Sequence, residues 1–228
     1  MSEPRRVLLA GATGLVGSRV MELTVEHPWL RLIALSRREA PMPRGARMEM
    51  LVADPAGWPE AVAAIAPDAV ICALGTTIGK AGSEEAFRAV DFDLVLSLAT
   101  AAKAAAVANF ALVSSAGADA HGKAFYLRVK GEIEAAVTKL RLRRLDILRP
   151  GLLRGSRRND GRPLEMLGKL ASPLTDLMLH GDNRRYRSID ARVVAAAAAQ
   201  CAREKAQGRW IHDNDAIQRA ARRFDEKP

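Results

Sequence analysis

The stretch Tyr126-Leu127-Arg128-Val129-Lys130 sets a phenol and an ammonium four positions apart. On a helix, residues i and i+4 share a face, so the two groups can stand over one site. A free tyrosine, with a pKa of about 10, is a poor base at neutral pH, and an adjacent cation stabilises the phenolate and moves it toward working range. Ser114 and Ser115 end the apolar run that precedes this stretch. A hydroxyl there could hydrogen-bond a carbonyl oxygen as negative charge develops on it. The spacing alone is weak evidence, since an amphipathic helix with its tyrosine in the core would read the same way.

A second group is Gly11-Ala12-Thr13-Gly14-Leu15-Val16-Gly17, which follows an apolar run and opens a helical pattern. Glycines at this spacing permit a tight turn and let the backbone approach a pyrophosphate, whose charge the free amides of a helix N-terminus stabilise. The spacing is GxxGxxG rather than GxGxxG, and a glycine turn with no ligand is the alternative. At the end of the next apolar run stand Arg37 and Arg38, with no acid before Glu39. An acid there would select the ribose hydroxyl of NAD, whereas guanidinium groups suit a 2′-phosphate, so the reading is NADP. Solvated arginines of a loop that also holds Arg44 and Arg47 would be the plain alternative.

The elements that must position these groups follow a strand-helix alternation. Continuous apolar runs at 6–11, 31–37, 48–54, 68–74, 109–115 and 146–150 suit strands buried on both faces of a parallel sheet. Helical spacing joins Phe87, Val90, Leu94, Leu98 and Ala101 across 83–107, and Tyr126, Val129, Ile133, Val137 and Leu140 across the next helix. This order predicts an α/β fold with a doubly wound parallel sheet, ligands lying at the carboxyl ends of its strands. After Gly151 a polar loop is expected over 155–163, then an alanine-rich helix over 188–205 with Ile189, Val193, Ala197 and Cys201 on one face, and a last short strand at 209–212. The organisation expected is a single domain over 1–228, with residues 152–190 forming much of a small C-terminal substrate lobe.

Composition bounds the function. The chain has 228 residues, 49% hydrophobic and 27% charged, which excludes wholesale disorder and fibrous repeats. No apolar run is long enough to cross a bilayer and the N-terminus lacks a secretory h-region, giving the expectation of a cytoplasmic protein with no membrane partner. The formal charge of +9 raises the case for polyanions, yet the arginines are dispersed and only ten residues are aromatic, which argues against a nucleic-acid partner. Cys72 and Cys201 are far apart and read as reduced core residues, and His27, His121, His180 and His212 are isolated from one another, so no metal site is expected.

Together, the glycine loop, Ser114-Ser115 and Tyr126 to Lys130 resemble the short-chain dehydrogenase/reductase superfamily. The strings Leu74-Gly75-Thr76-Thr77-Ile78-Gly79-Lys80-Ala81-Gly82, Ser114 to Asp119, Tyr126 to Glu132 and Arg149-Pro150-Gly151 resemble its atypical branch, typified by the HIV Tat-interacting oxidoreductase-like protein and its bacterial relatives. The similarity covers about residues 6 to 165 and implies a Rossmann fold that binds NADP(H). By position it implies that Thr13, Gly14, Leu15 and Val16 line the pyrophosphate, Arg37 and Arg38 the 2′-phosphate, and Leu74 and Gly75 the adenine side or ribose. Tyr126 becomes the acid/base, and Lys130 its partner and a holder of the nicotinamide ribose. Ser115, which aligns better than Ser114, becomes the catalytic serine, and Leu153 and Arg162 lie near the cofactor. The asparagine usual after the fourth strand is replaced by Leu74, which puts a relay through it in doubt. The expectation is an NADP(H)-dependent oxidoreductase acting on a small carbonyl or alcohol, an anionic one being suited to the arginines, as a monomer or homodimer. The alternative is an NADPH-binding regulatory or scaffold protein with a protein partner and little or no catalysis.

Overall fold

The computed structural model describes residues 4–155 and 181–226. In chain order the elements are β1 (Arg5–Ala10), α1 (Leu15–Glu26), β2 (Leu30–Ser36), β3 (Met48–Val52), α2 (Trp58–Ile65), β4 (Ala69–Cys72), α3 (Ile78–Ala81) and α4 (Glu84–Arg88). A π-helical turn (Ala89–Asp93) leads into α5 (Leu94–Ala104), followed by β5 (Asn109–Val113), α6 (Phe125–Lys139), β6 (Arg144–Leu148) and β7 (Leu153–Arg154). After a 3-10 segment (Gly181–Tyr186) come β8 (Ile189–Asp190), α7 (Ala191–Cys201), β9 (Gly208–His212) and α8 (Asn214–Asp225).

Seven parallel strands form the sheet in the order β3-β2-β1-β4-β5-β6-β9. The doubly wound parallel sheet read from the sequence is the fold observed. The chain winds from β1 outward to β3, then returns to lay β4 on the other side of β1, which makes β1/β4 the switch point where such sheets bind ligands. Side chains alternate across the strands, so Val7 and Leu9 face one core and Leu8 and Ala10 the other. The first core is closed by α1, α7 and α8, through residues such as Val20, Val194, Ala198, Ile217 and Phe224. Trp58, Val62, Val95, Leu98, Ile133 and Val137, on α2, α5 and α6, close the second.

Three details differ from the sequence reading. The helix expected over 83–107 is broken into α4, a π turn and α5. Phe87, Asp91, Val95 and Leu98 point inward, while Val90 and Leu94 are half-buried. The alanine-rich helix starts at Ala191, because Ile189–Asp190 pairs with β7 as a strand and the Asp190 side chain caps α7 by accepting from the Arg192 amide. Within α7, Val194 rather than Val193 is the fully buried valine. Of the expected substrate lobe, the β7/β8 pair and the 3-10 segment are what the described residues include; most of the polar loop at 155–163, with Arg162, lies outside them.

Candidate functional site

The glycine loop leaves β1 at the switch point. Gly11 has φ +91°, and a Cβ there would collide with the Ala73 carbonyl just past β4, so this position requires glycine for both its conformation and its closeness to the next strand. A Cβ on Gly17 would strike the Gly11 carbonyl, which presses the first turn of α1 onto the loop. Gly14 is the N-cap of α1 in extended conformation, and no side chain caps the helix. The first amides of a helix have no intrahelical partner, so the start of α1 offers uncapped donors of the kind a pyrophosphate takes. Thr13 is exposed, Leu15 half-buried and Val16 in the core, which leaves Val16 its backbone as the part that could face a ligand. Gly155, just after Leu153 of β7, comes within 3.2 Å of Leu15 when given a Cβ, so β7 arrives beside the start of α1.

Across the switch point, the loop after β4 carries Leu74 and Gly75. A Cβ on Gly75 would lie 3.5 Å from Asp91 Oδ1 and 3.8 Å from Lys130 Nζ, in ordinary contact. The glycine loop, this loop and the Lys130 end of the Tyr126–Lys130 pair are therefore contiguous. Lys130 is buried, with its ammonium 2.8 Å from Asp91 Oδ1 at an angle outside good hydrogen-bond geometry. Asp91 is fully buried, and its Oδ2 accepts from the Thr76 amide at 2.8 Å. Burial opposes the charge on Lys130, but Asp91, and Tyr126 after it, outweigh that cost and hold its pKa above the ordinary lysine value. Tyr126 is half-exposed rather than in the core, its ring edge-on to Phe87 at 5.8 Å, and its hydroxyl makes no hydrogen bond among the described residues. The Arg88–Glu132 ion pair at 2.6 Å braces α6 against α4.

The two serines part company. Ser114 is buried, and its hydroxyl donates to Glu134 of α6, which also binds Arg149. Ser115 makes only a local bond to the Ala116 carbonyl at 3.2 Å and is half-buried. Ser115 is thus the serine with a hydroxyl to offer. Arg37 and Arg38 leave β2 exposed, and neither guanidinium forms an ion pair among the described residues.

A family model described as NAD(P)H-binding matches residues 11–205. The chain belongs to this NAD(P)H-binding family. Its matched relatives include the mitochondrial protein fmp52 of Emericella nidulans, 36% identical over 75% of this chain and 79% of that protein. The mitochondrial FMP52 of Saccharomyces cerevisiae is 37% identical over 67% of each chain. Similar solved structures include MoeE5 in complex with UDP-glucose and NAD, with TM-score 0.69, 16% identity and coverage of 98% and 83%. Another is the Bordetella bronchiseptica enzyme WbmH in complex with NAD+, with TM-score 0.68, 14% identity and coverage of 92% and 76%.

For this NAD(P)H-binding protein two expectations change. The cytoplasmic assignment is overturned, because the relatives are named as mitochondrial proteins. A missing secretory h-region and missing bilayer span speak only about those two features and do not choose between aqueous compartments. The expectation that no Cys/His cluster forms also changes, although the histidines stay apart in the described residues: β6, α7 and β9 bring ligand atoms of Asp146, Cys201 and His212 within 4.8 Å of one another. His212 Nε2 lies 2.8 Å from Asp146 Oδ1, and Arg144 already engages both oxygens of that carboxylate at 2.6 and 2.8 Å.

Sequence reasoning missed Asp91, Glu134 and Asn214. Buried Asn214 accepts from the Gly151 amide at 3.0 Å and donates to the Arg187 carbonyl at 2.7 Å, tying the loop after β6 to the segment before β8. An acid four residues after Phe87 and four before Val95, on the apolar stripe of a helix, was the signal that could have found Asp91.

Proposed function

We propose that this chain is an NADP(H)-dependent oxidoreductase of the atypical short-chain dehydrogenase type, moving a hydride between the cofactor and a small carbonyl or alcohol. The observation that carries the reading is the contiguity of three parts: Gly11 against Ala73, Gly75 against Lys130, and Tyr126 one turn from Lys130 on α6. The uncapped start of α1 would hold the pyrophosphate through the backbone of Thr13, Gly14, Leu15, Val16 and Gly17. Arg37 and Arg38 would take the 2′-phosphate, Leu74, Gly75 and Leu153 would border the ribose and adenine, and Lys130 would hold the nicotinamide ribose. Bound NADP(H) supplies or accepts the hydride. Tyr126 gives the proton to the substrate oxygen in the reducing direction and takes it back in the oxidising one, and Ser115 polarises that oxygen.

The segment bearing Arg184 and Arg185 supports an anionic substrate, since Tyr186 comes within 3.3 Å of a Cβ built on Gly117, beyond the carboxyl end of β5. Kinship with the Tat-interacting branch is part of the same reading, supported by the LGTT-GKAG string. Stereospecific hydride transfer from labelled NADPH to one member of a carbonyl panel tests the proposal. The pairing of Lys130 with Asp91 favours one other reading, a regulatory or scaffold protein that keeps the nucleotide site without turnover. Tight NADPH binding with no turnover across the panel would install that reading in place of the enzyme.

A further inference from the structure

Lys130 is assigned above the task of favouring a phenolate at Tyr126, and a bare ammonium would do so. The ammonium is not bare. Asp91 lies 2.8 Å from it, fully buried, on the one π turn among the described residues, and the Thr76 amide fixes the second carboxylate oxygen. Asp91 falls four residues after Phe87 and four before Val95, on the buried stripe of this helix, while Val90 and Leu94 are half-buried. π turns inside helices recur at functional sites, and keeping a buried charge there costs stability unless it is paired.

We propose that Asp91 is a positioning residue of this site: its carboxylate anchors the Lys130 ammonium beneath the loop after β4 and offsets its charge, so that Tyr126 works beside a neutral ion pair. The consequence is a preferred direction. A phenol next to a neutral pair keeps its proton at neutral pH and serves as a donor, which is the role needed when a carbonyl is reduced. The inference rests on the proposed function for its meaning in turnover, but not for its measurement. The titratable groups around the pair are Tyr126 from α6 and Cys72 from β4. Burial, partly offset by Lys130 and reinforced by Asp91, pushes the Cys72 thiol up to about 11, so Cys72 adds no charge at working pH.

The protein has two tyrosines, Tyr126 and Tyr186, so ultraviolet phenolate titration of the full chain resolves at most two steps, and Tyr126→Phe identifies which is Tyr126. The double variant Asp91→Asn with Lys130→Gln removes both charges of the pair and leaves no unpaired buried charge. Offset charges predict a midpoint near the wild-type value; a rise of a unit or more means that Tyr126 felt an uncompensated lysine, and the proposal fails. NADPH titration of the wild type runs alongside. Loss of binding there sinks the proposed function and leaves the phenolate result standing by itself.

Discussion

Arg37 and Arg38 stand at the end of β2 without an ionic partner among the described residues, so their guanidinium groups are available to a phosphate. Arg37→Ala should weaken NADPH by the roughly 1.5 to 3 kcal/mol of a charged hydrogen bond and spare NADH, read by fluorescence titration of both nucleotides. Equal wild-type affinity for the two would remove the basis for NADP selection. Tyr126→Phe takes away one oxygen that makes no hydrogen bond within the described protein, so fold and NADPH binding should persist while turnover of an identified substrate falls about 10²- to 10⁴-fold. The two serines should separate cleanly. Ser114→Ala removes a donor from buried Glu134 and should cost about 1 kcal/mol in denaturant unfolding, whereas Ser115→Ala should leave stability alone and reduce turnover. Neither the division of labour between these neighbours nor the Asp91 partner of Lys130 was legible in the sequence, because both depend on which of several polar side chains a distant helix brings within reach.

Elements were far more legible than contacts. The central strands β2, β1, β4, β5 and β6 announced themselves as apolar runs, since a strand covered on both faces has little polar side to interrupt it, whereas the edge strands β3 and β9 are largely exposed. The pairs β7 and β8 did not, because two residues hold too little pattern. Neither α2 nor α8 was read from the sequence: α2 is short and carries Pro59 in its first turn, while the stripe of α8, in Ile217, Ala220, Ala221 and Phe224, was there to be found. The glycine loop was legible as a motif, but its division of roles came only with the structure: Gly11 and Gly17 serve close packing, and Gly14 serves the start of α1. Gly17→Ala should therefore destabilise by about 1 to 3 kcal/mol, as overpacking does, and lower the thermal midpoint. Gly14→Val instead places a branched side chain where a pyrophosphate would lie and should abolish NADPH binding in a folded protein; retained affinity would reduce the loop to a turn.

At the scale of the whole molecule, buried thiols and the buried ion pair set an alkaline limit. Burial pushes Cys72 from 9.0 up to about 11 and also raises Cys201 well above 9.0, so above about pH 9 the unfolded chain releases protons that the folded one keeps. Stability then falls as pH rises, by about 2 to 3 kcal/mol for Cys72 alone between 9 and 11, and Lys130, raised above 10.5, extends the fall at higher pH. Unfolding midpoints followed from pH 7.5 to 12 should show this decline, and Cys72→Ala should flatten its lower part; a wild-type midpoint unchanged between 9 and 11 would contradict it.

The covering of the first core by α7 and α8 also bears on how the chain is born. Helix α1 packs on α7, and Phe224 near the end of α8 meets His27 at 4.4 Å and Trp29 at 5.8 Å. The glycine loop and the loop after β4 are spelled out by Gly75, yet one face of the sheet has only α1 for cover until residues 191–225 are made. At about 5 to 20 residues per second, that face stays half-covered on the ribosome for several seconds at the least. A nascent chain in that interval depends on holding chaperones, and a fragment ending at Pro150 should aggregate where the whole chain stays in solution.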